Sequence, residues 1–157
     1  MTKLVLASTS PARLRLLRDA GIDPIVIAPG VDEEYVADLA MQAGQISNTA
    51  DLVLLLAKAK AEAVVNHPDA QGALIIGCDS ALDLDGESLG KPHETEVAIE
   101  RWKAMRGRSG RLYSGHWLID NRVSIPMPPA KGHASNTTVH FAELSESEIL
   151  AYVGTGE

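Results

Sequence analysis

Apolar positions along the chain fall into short runs separated by longer stretches with helical spacing. Leu4–Ala7 is a compact apolar run that predicts a buried strand. Ser8-Thr9-Ser10-Pro11 follows as a helix start, with Ser10 suited to cap and Pro11 to the first helical position, where a missing N–H costs nothing. Leu14, Leu16, Leu17 and Ala20 then recur at roughly helical spacing, and Gly21 closes the helix. Residues 24–28 form a second short strand, closed by Pro29-Gly30, and Val31-Asp32-Glu33-Glu34 reads as an acidic turn. Residues 52–65, rich in Leu and Ala, predict a helix capped by Thr49 or Asp51 and ended at His67-Pro68-Asp69. A third buried strand is expected over residues 73–77, and another over 82–86 that turns at Asp85-Gly86.

The second half reads differently. A helix is expected over residues 94–105, opened by Thr95 or His93, then a loop at 107–110. Strands over 113–120 and 137–144 flank an exposed, flexible loop at 126–132. Ser145 and Glu148 have the spacing of a capping box that opens a last helix. Strands and helices alternate early and hairpin-like strands dominate late, which predicts an α/β fold with a mixed sheet rather than a doubly wound one.

The length of 157 residues fits one domain, with room for two lobes. Hydrophobic residues make up 45% and aromatic ones only 4%, so the core must be built from Leu, Val, Ile and Ala. The net charge of −7 argues against a duplex nucleic-acid-binding face, which needs many cations against phosphates, but leaves room for a small anionic ligand. Cys78 is the single cysteine, so no intramolecular disulfide forms, which fits a reducing compartment. The opening apolar run is too short for a signal peptide, and no window reaches transmembrane length; a cytoplasmic protein with no membrane partner is expected.

Five clusters carry candidate chemistry. Ser8, Ser10 and Arg13 surround a helix N-terminus, a natural anion pocket, although taken alone they are accounted for more simply by an ordinary capped helix with a surface arginine. Asp32, Glu33 and Glu34 offer oxygen ligands for Mg²⁺ or Mn²⁺, or simply a solvated acidic turn. Asp79 ends an apolar strand after Gly77-Cys78, where ligands gather in α/β folds, and it could bind a metal or take a proton from water, or form a local turn. Cys78 itself reads as a small buried filler. Gly90-Lys91-Pro92 offers a point charge for a phosphate, without Walker spacing. Lys58 and Lys60 point about 200° apart on their helix, so only one faces a site. The histidines at 67, 93, 116, 133 and 140 lack zinc-ligand spacing. Together these residues supply what a metal-chelated polyphosphate requires.

The order of these motifs resembles the Maf family of nucleoside triphosphate pyrophosphatases. The matching pieces are Leu6-Ala7-Ser8-x-Ser10-Pro11-x-Arg13, Val31-Asp32-Glu33, Leu56-Ala57-x-x-Lys60-Ala61, Ile76-Gly77-Cys78-Asp79-Ser80 and Asp85-Gly86-x-x-Leu89-Gly90-Lys91-Pro92. Gly107-Arg108, Tyr113-x-Gly115, Leu144-Ser145 and Tyr152-x-x-Thr155-Gly156-Glu157 extend the likeness to the last residue. The resemblance implies an ITPase-like, two-lobed α/β fold with a central cleft, formed by the whole of residues 1–157 and often dimeric. It implies hydrolysis of a nucleoside triphosphate to a monophosphate and pyrophosphate with a divalent metal, Mg²⁺ or Mn²⁺, removing non-canonical or surplus nucleotides. It assigns Asp79 as general base, Glu33 as a metal-site acid, and Ser8, Ser10, Arg13, Lys60 and Lys91 as phosphate-contacting residues, with Lys60 chosen over Lys58. The family often has Arg where Ala12 stands and Thr where Ser80 stands, positions associated with base choice. Its pattern also continues beyond Thr-Gly-Glu into a segment holding a Lys, an Ala-Gly pair and a nucleotide-facing Gln. A chain without that segment could instead be a nucleotide-binding cell-division regulator with weak or no catalysis.

Overall fold

The computed structural model describes residues 2–92, 94–123 and 128–156. The elements in chain order are β1 (Leu4–Ala7), α1 (Pro11–Asp19), β2 (Ile25–Ile27), α2 (Glu33–Gln42), α3 (Thr49–Ala63), β3 (Leu74–Leu84), β4 (Glu87–Leu89), α4 (Thr95–Met105), β5 (Ser109–Asp120), β6 (Ala130–His140) and α5 (Glu146–Val153). A short 3₁₀ turn at Pro68–Ala70 leads into β3. The strands form one mixed sheet in the order β2-β1-β3-β5-β6, with β4 hydrogen-bonded to β3. β1 lies parallel to β2 and to β3, whereas β5 runs antiparallel to both of its neighbours, β3 and β6. This is the mixed α/β architecture expected from the sequence.

The parallel part ends where β1 ends. Ala7 pairs with Gly77, and beyond that point β3 continues seven residues to Leu84, held only by its antiparallel neighbours. The sequence pattern predicts two strands here, one over residues 73–77 and another over 82–86. The two are one strand, because β5 pairs with β3 without interruption from Leu74 to Asp83. The turn at Asp85-Gly86 is the expected one: both residues have positive φ, 56° and 86°, as a tight hairpin requires.

One face of β3 meets α3. Ile75, Gly77, Asp79, Ala81 and Asp83 alternate onto this face, and Ile75 joins Val5, Ala61, Val64 and Ile119 in the apolar core. Helix and sheet approach so closely that a Cβ on Gly77 would lie 2.1 Å from the Ala57 carbonyl oxygen, and one on Gly115 of β5 would lie 2.2 Å from that of Val53. Both glycines are therefore required by backbone contact, not by turn geometry.

Other boundaries shift for local reasons. Val31–Glu34 is no free turn: Asp32 caps α2 by accepting the Tyr35 N–H at 3.0 Å, and Glu33 and Glu34 occupy the first turn, where negative charge suits the helix dipole. Asn48 caps α3 in place of Thr49 or Asp51, and Thr49 is buried inside the helix with its hydroxyl bonded to Asp83 and Ser88. Glu94 stands at the start of α4 without a side-chain cap bond; Thr95 lies within the helix, and His93 falls outside the described residues. β5 begins at Ser109 inside the expected loop. β6 starts at Ala130, inside the loop expected over 126–132, and ends at His140; Pro126 and Met127 lie outside the described residues. The Ser145–Glu148 capping box is present as expected. α4 packs near α5 through Trp102, whose ring meets those of Phe141 and Tyr152 edge to face. Among the described residues, no helix is long and apolar enough to cross a membrane.

Candidate active site

The connections leaving β1 and β3 diverge: the chain after β1 goes to β2, and the chain after β3 goes toward β5. Such a divergence opens a crevice at the C-terminal ends of parallel strands, the usual ligand position in α/β sheets. A cleft of about 650 Å³ lies here. Ser8 follows β1, Asp32 and Glu33 follow β2, and Asp79 stands two residues past the last β1–β3 pair. Gly90 and Lys91, from the segment joining β4 to α4, and Arg101, on α4 itself, complete the far wall.

The floor of the cleft is a buried charge cluster. Lys60, in the last turn of α3, is 6% exposed, and its Nζ donates to Asp79 Oδ1 at 2.7 Å and lies 2.9 Å from Glu33 Oε1. The glycine at position 77 makes this reach possible, because α3 rests directly on the strand one side-chain step from Asp79. Burial pushes the Asp79 carboxyl above its ordinary range; the Lys60 hydrogen bond and charge pull it back, Glu33 pushes it up, and Arg13 pulls it down. The result is a carboxylate more basic than one in water, at a position a ligand can reach. Lys58 points away, ion-paired with Glu62 at 3.9 Å and 5.4 Å from the Trp117 ring centroid, as the helical spacing required.

A second group joins α1 to β3. Ser8 Oγ accepts the Ser10 N–H at 3.1 Å and an Arg13 guanidinium N–H at 3.3 Å. Arg13 also donates to Ser80 Oγ at 3.3 Å, and Ser80 shares a 3.1 Å hydrogen bond with Ser114 on β5. Ser10 caps α1 through the Arg13 N–H. The serines thus serve both as caps and as anchors that aim Arg13 into the cleft.

The structure brings Ser8, Ser10, Arg13, Glu33, Lys60, Asp79, Ser80 and Lys91 to the lining of one cleft. Ala12 sits on the exposed first turn of α1, outside that lining. Of the acidic run, Asp32 is occupied by its capping bond, while Glu33 reaches Lys60. Cys78 is 8% exposed, and burial pushes its thiol up, the opposite of an activated nucleophile. Two residues were missed. Ser114 reveals itself only through strand pairing with Ser80, and Arg101 only through the docking of α4.

The sequence profile of the Maf-like protein family matches residues 3–157. The chain belongs to this family. A nucleoside triphosphate pyrophosphatase of Streptomyces avermitilis is 51% identical over 158 aligned residues, which cover 99% of this chain and 69% of that protein. Proteins of the same name from Leifsonia xyli subsp. xyli and Nostoc punctiforme are 49% and 47% identical, over 99% and 98% of this chain and 73% and 71% of theirs. The cleft of this Maf-like chain is therefore built from the segments that carried the resemblance in the sequence.

Proposed function

We propose that this Maf-like chain hydrolyses nucleoside triphosphates, ribo or deoxy, between the α and β phosphates, giving the monophosphate and pyrophosphate, in a cytoplasmic house-cleaning role. The observation that carries this reading is the buried Lys60, held by Asp79 and Glu33 on the floor of a cleft ringed by Arg13 and Lys91, in a family whose relatives bear that name. Asp79 takes a proton from water as the water oxygen bonds to the α-phosphorus. The bridging oxygen–phosphorus bond breaks, and pyrophosphate leaves with that electron pair. Lys60 steadies the ionised Asp79 and faces the phosphoryl oxygens, and Arg13 and Lys91 offset charge on the polyphosphate. Ser8 and Ser80 hold Arg13 in place for this.

The donor set fits a divalent metal that arrives with the nucleotide. Glu33 Oε2 and Asp79 Oδ2 have no hydrogen bond among the described residues, so each carboxylate has an oxygen left for a hard cation. Among the described residues no cluster of three or more His, Cys, Asp or Glu forms a protein-only cage. Mg²⁺ commonly takes one or two carboxylates and completes its shell with substrate phosphates and water. Bound in that way, the metal would supply Lewis-acid charge compensation at the phosphates.

A panel of ribo- and deoxynucleoside triphosphates with Mg²⁺ or Mn²⁺ tests the reading, with pyrophosphate and orthophosphate assayed separately. Pyrophosphate release from at least one nucleotide is expected, and Asp79→Asn should lower kcat by roughly 10²–10⁴-fold, the usual worth of a general base, while nucleotide binding persists. Orthophosphate as the product would point to a different phosphohydrolase. Tight binding without turnover would favour a nucleotide-binding regulator.

A further inference from the structure

We propose that Arg101 is a further substrate-binding residue of the cleft, holding the pyrophosphate end of the triphosphate together with Lys91. The inference rests on the reaction proposed above. The other cations of α4 and the turn after it have structural partners. Lys103 pairs with Glu100 at 3.0 Å, Arg106 donates to the Leu144 carbonyl, and Arg108 pairs with Asp85. Arg101 has no carboxylate partner among the described residues. Its neighbours three and four positions away on the helix are Val97, Ala98, Ala104 and Met105, none of which bears charge. Its side chain lines the cleft, and one guanidinium nitrogen donates to the carbonyl of Gly90, the residue before Lys91.

That single bond brings two cations into one place. It fixes the backbone from which Lys91 projects and leaves Arg101 with unused donors in a planar fork that matches phosphate oxygens. Lys91 has no hydrogen bond or ion pair among the described residues. The remaining cations of the cleft are placed differently. Lys60 is committed to two carboxylates, and Arg13 is held by hydroxyls at the α1 side. The β4–α4 wall therefore presents two cations without carboxylate partners, against one on the α1 side. Cleavage between α and β phosphates releases pyrophosphate, which carries more total negative charge than the monophosphate, and the two-cation wall is the better match for it.

The test uses the full chain and two product inhibitors, inorganic pyrophosphate and the nucleoside monophosphate. Arg101→Ala should raise the inhibition constant of pyrophosphate about tenfold, the worth of one charge-assisted hydrogen bond pair, and raise KM, with the monophosphate constant within about twofold of the parent. Arg101→Lys keeps the charge and should recover part of the pyrophosphate affinity. An unchanged pyrophosphate constant overturns the proposal. So does a parallel rise in both constants, which would mean that the whole cleft had been disturbed. Calorimetric titration of inorganic pyrophosphate with Mg²⁺ into parent and variant needs no turnover. It tests Arg101 even if no nucleotide yields pyrophosphate, and a parent that binds none overturns the inference.

Discussion

An ammonium group buried beneath a cleft costs several kcal/mol unless its counter-charges are fixed close by. Lys60 has two, and their environments differ: Asp79 is as buried as the lysine, whereas the Glu33 side chain is about half exposed. Asp79 therefore feels each neighbouring charge strongly, and the direction of each effect is a prediction. In its proposed role as base it works only when ionised, so on that reading activity must fall as pH drops through its pKa, and burial places that acid limb above the ordinary value of 3.8. Glu33 raises this pKa and Arg13 lowers it. Glu33→Gln should move the acid limb of log kcat/KM to lower pH, and Arg13→Met should move it to higher pH. The kcat/KM profile is the proper readout because it reports the free enzyme. Two limbs that shift in the same direction would remove Asp79 as the group that titrates.

At the level of elements, the site depends on how closely α3 lies on the sheet. Gly77→Ala would press a methyl into the Ala57 carbonyl, with backbone on both sides and no flexible side chain to yield. A loss of about 1–3 kcal/mol or more in urea unfolding is expected, the usual cost of overpacking, together with a fall in kcat larger than the stability loss explains, because α3 carries Lys60 away from Asp79. A variant with parent stability and activity would show that the close approach is not needed. The sequence announced part of this arrangement and hid the rest. β1, α1 and the Leu-rich α3 were legible because their apolar spacing and caps are local. Asp79 was legible as an acid following an apolar run and glycine, although its strand does not end there; the extension comes from β5, some thirty-five residues away, which no local pattern reports. α2 was invisible because its large apolar residues Tyr35, Leu39 and Met41 are exposed, and its inward side is built from the smaller Val36, Ala37 and Ala40. The three acids at 32–34 looked equivalent, and only the helix start separated the cap from the lysine partner. Arg101 stayed silent for a related reason: its surroundings in sequence are those of any surface helix residue, and its meaning lies in the docking of α4 beside Gly90.

For the molecule as a whole, the proposed metal-assisted reaction and the divided cleft together predict that metal and nucleotide bind as one ligand. Two carboxylates, one oxygen of each already given to Lys60, are a poor site for a bare cation, and the far wall offers cations that a bare metal would repel. The triphosphate resolves both difficulties, because its oxygens complete the metal's shell and neutralise Arg13 and Lys91. Thermal unfolding then has a defined pattern. Mg²⁺ alone, or a chelator alone, should leave the midpoint unchanged. A nucleotide analogue that resists cleavage between its α and β phosphorus atoms, added without metal, should raise it a little. The two together should raise it by more than the sum of their separate effects. At a ligand concentration of about 100 times Kd, mass action contributes about 2.7 kcal/mol, or roughly 5–10 °C for a domain of this size. Glu33→Gln should abolish the synergy while sparing most of the shift caused by nucleotide alone, since it removes an oxygen donor and no cation. A large shift with Mg²⁺ alone would require a metal site built by the protein itself, and the chelate model would fail.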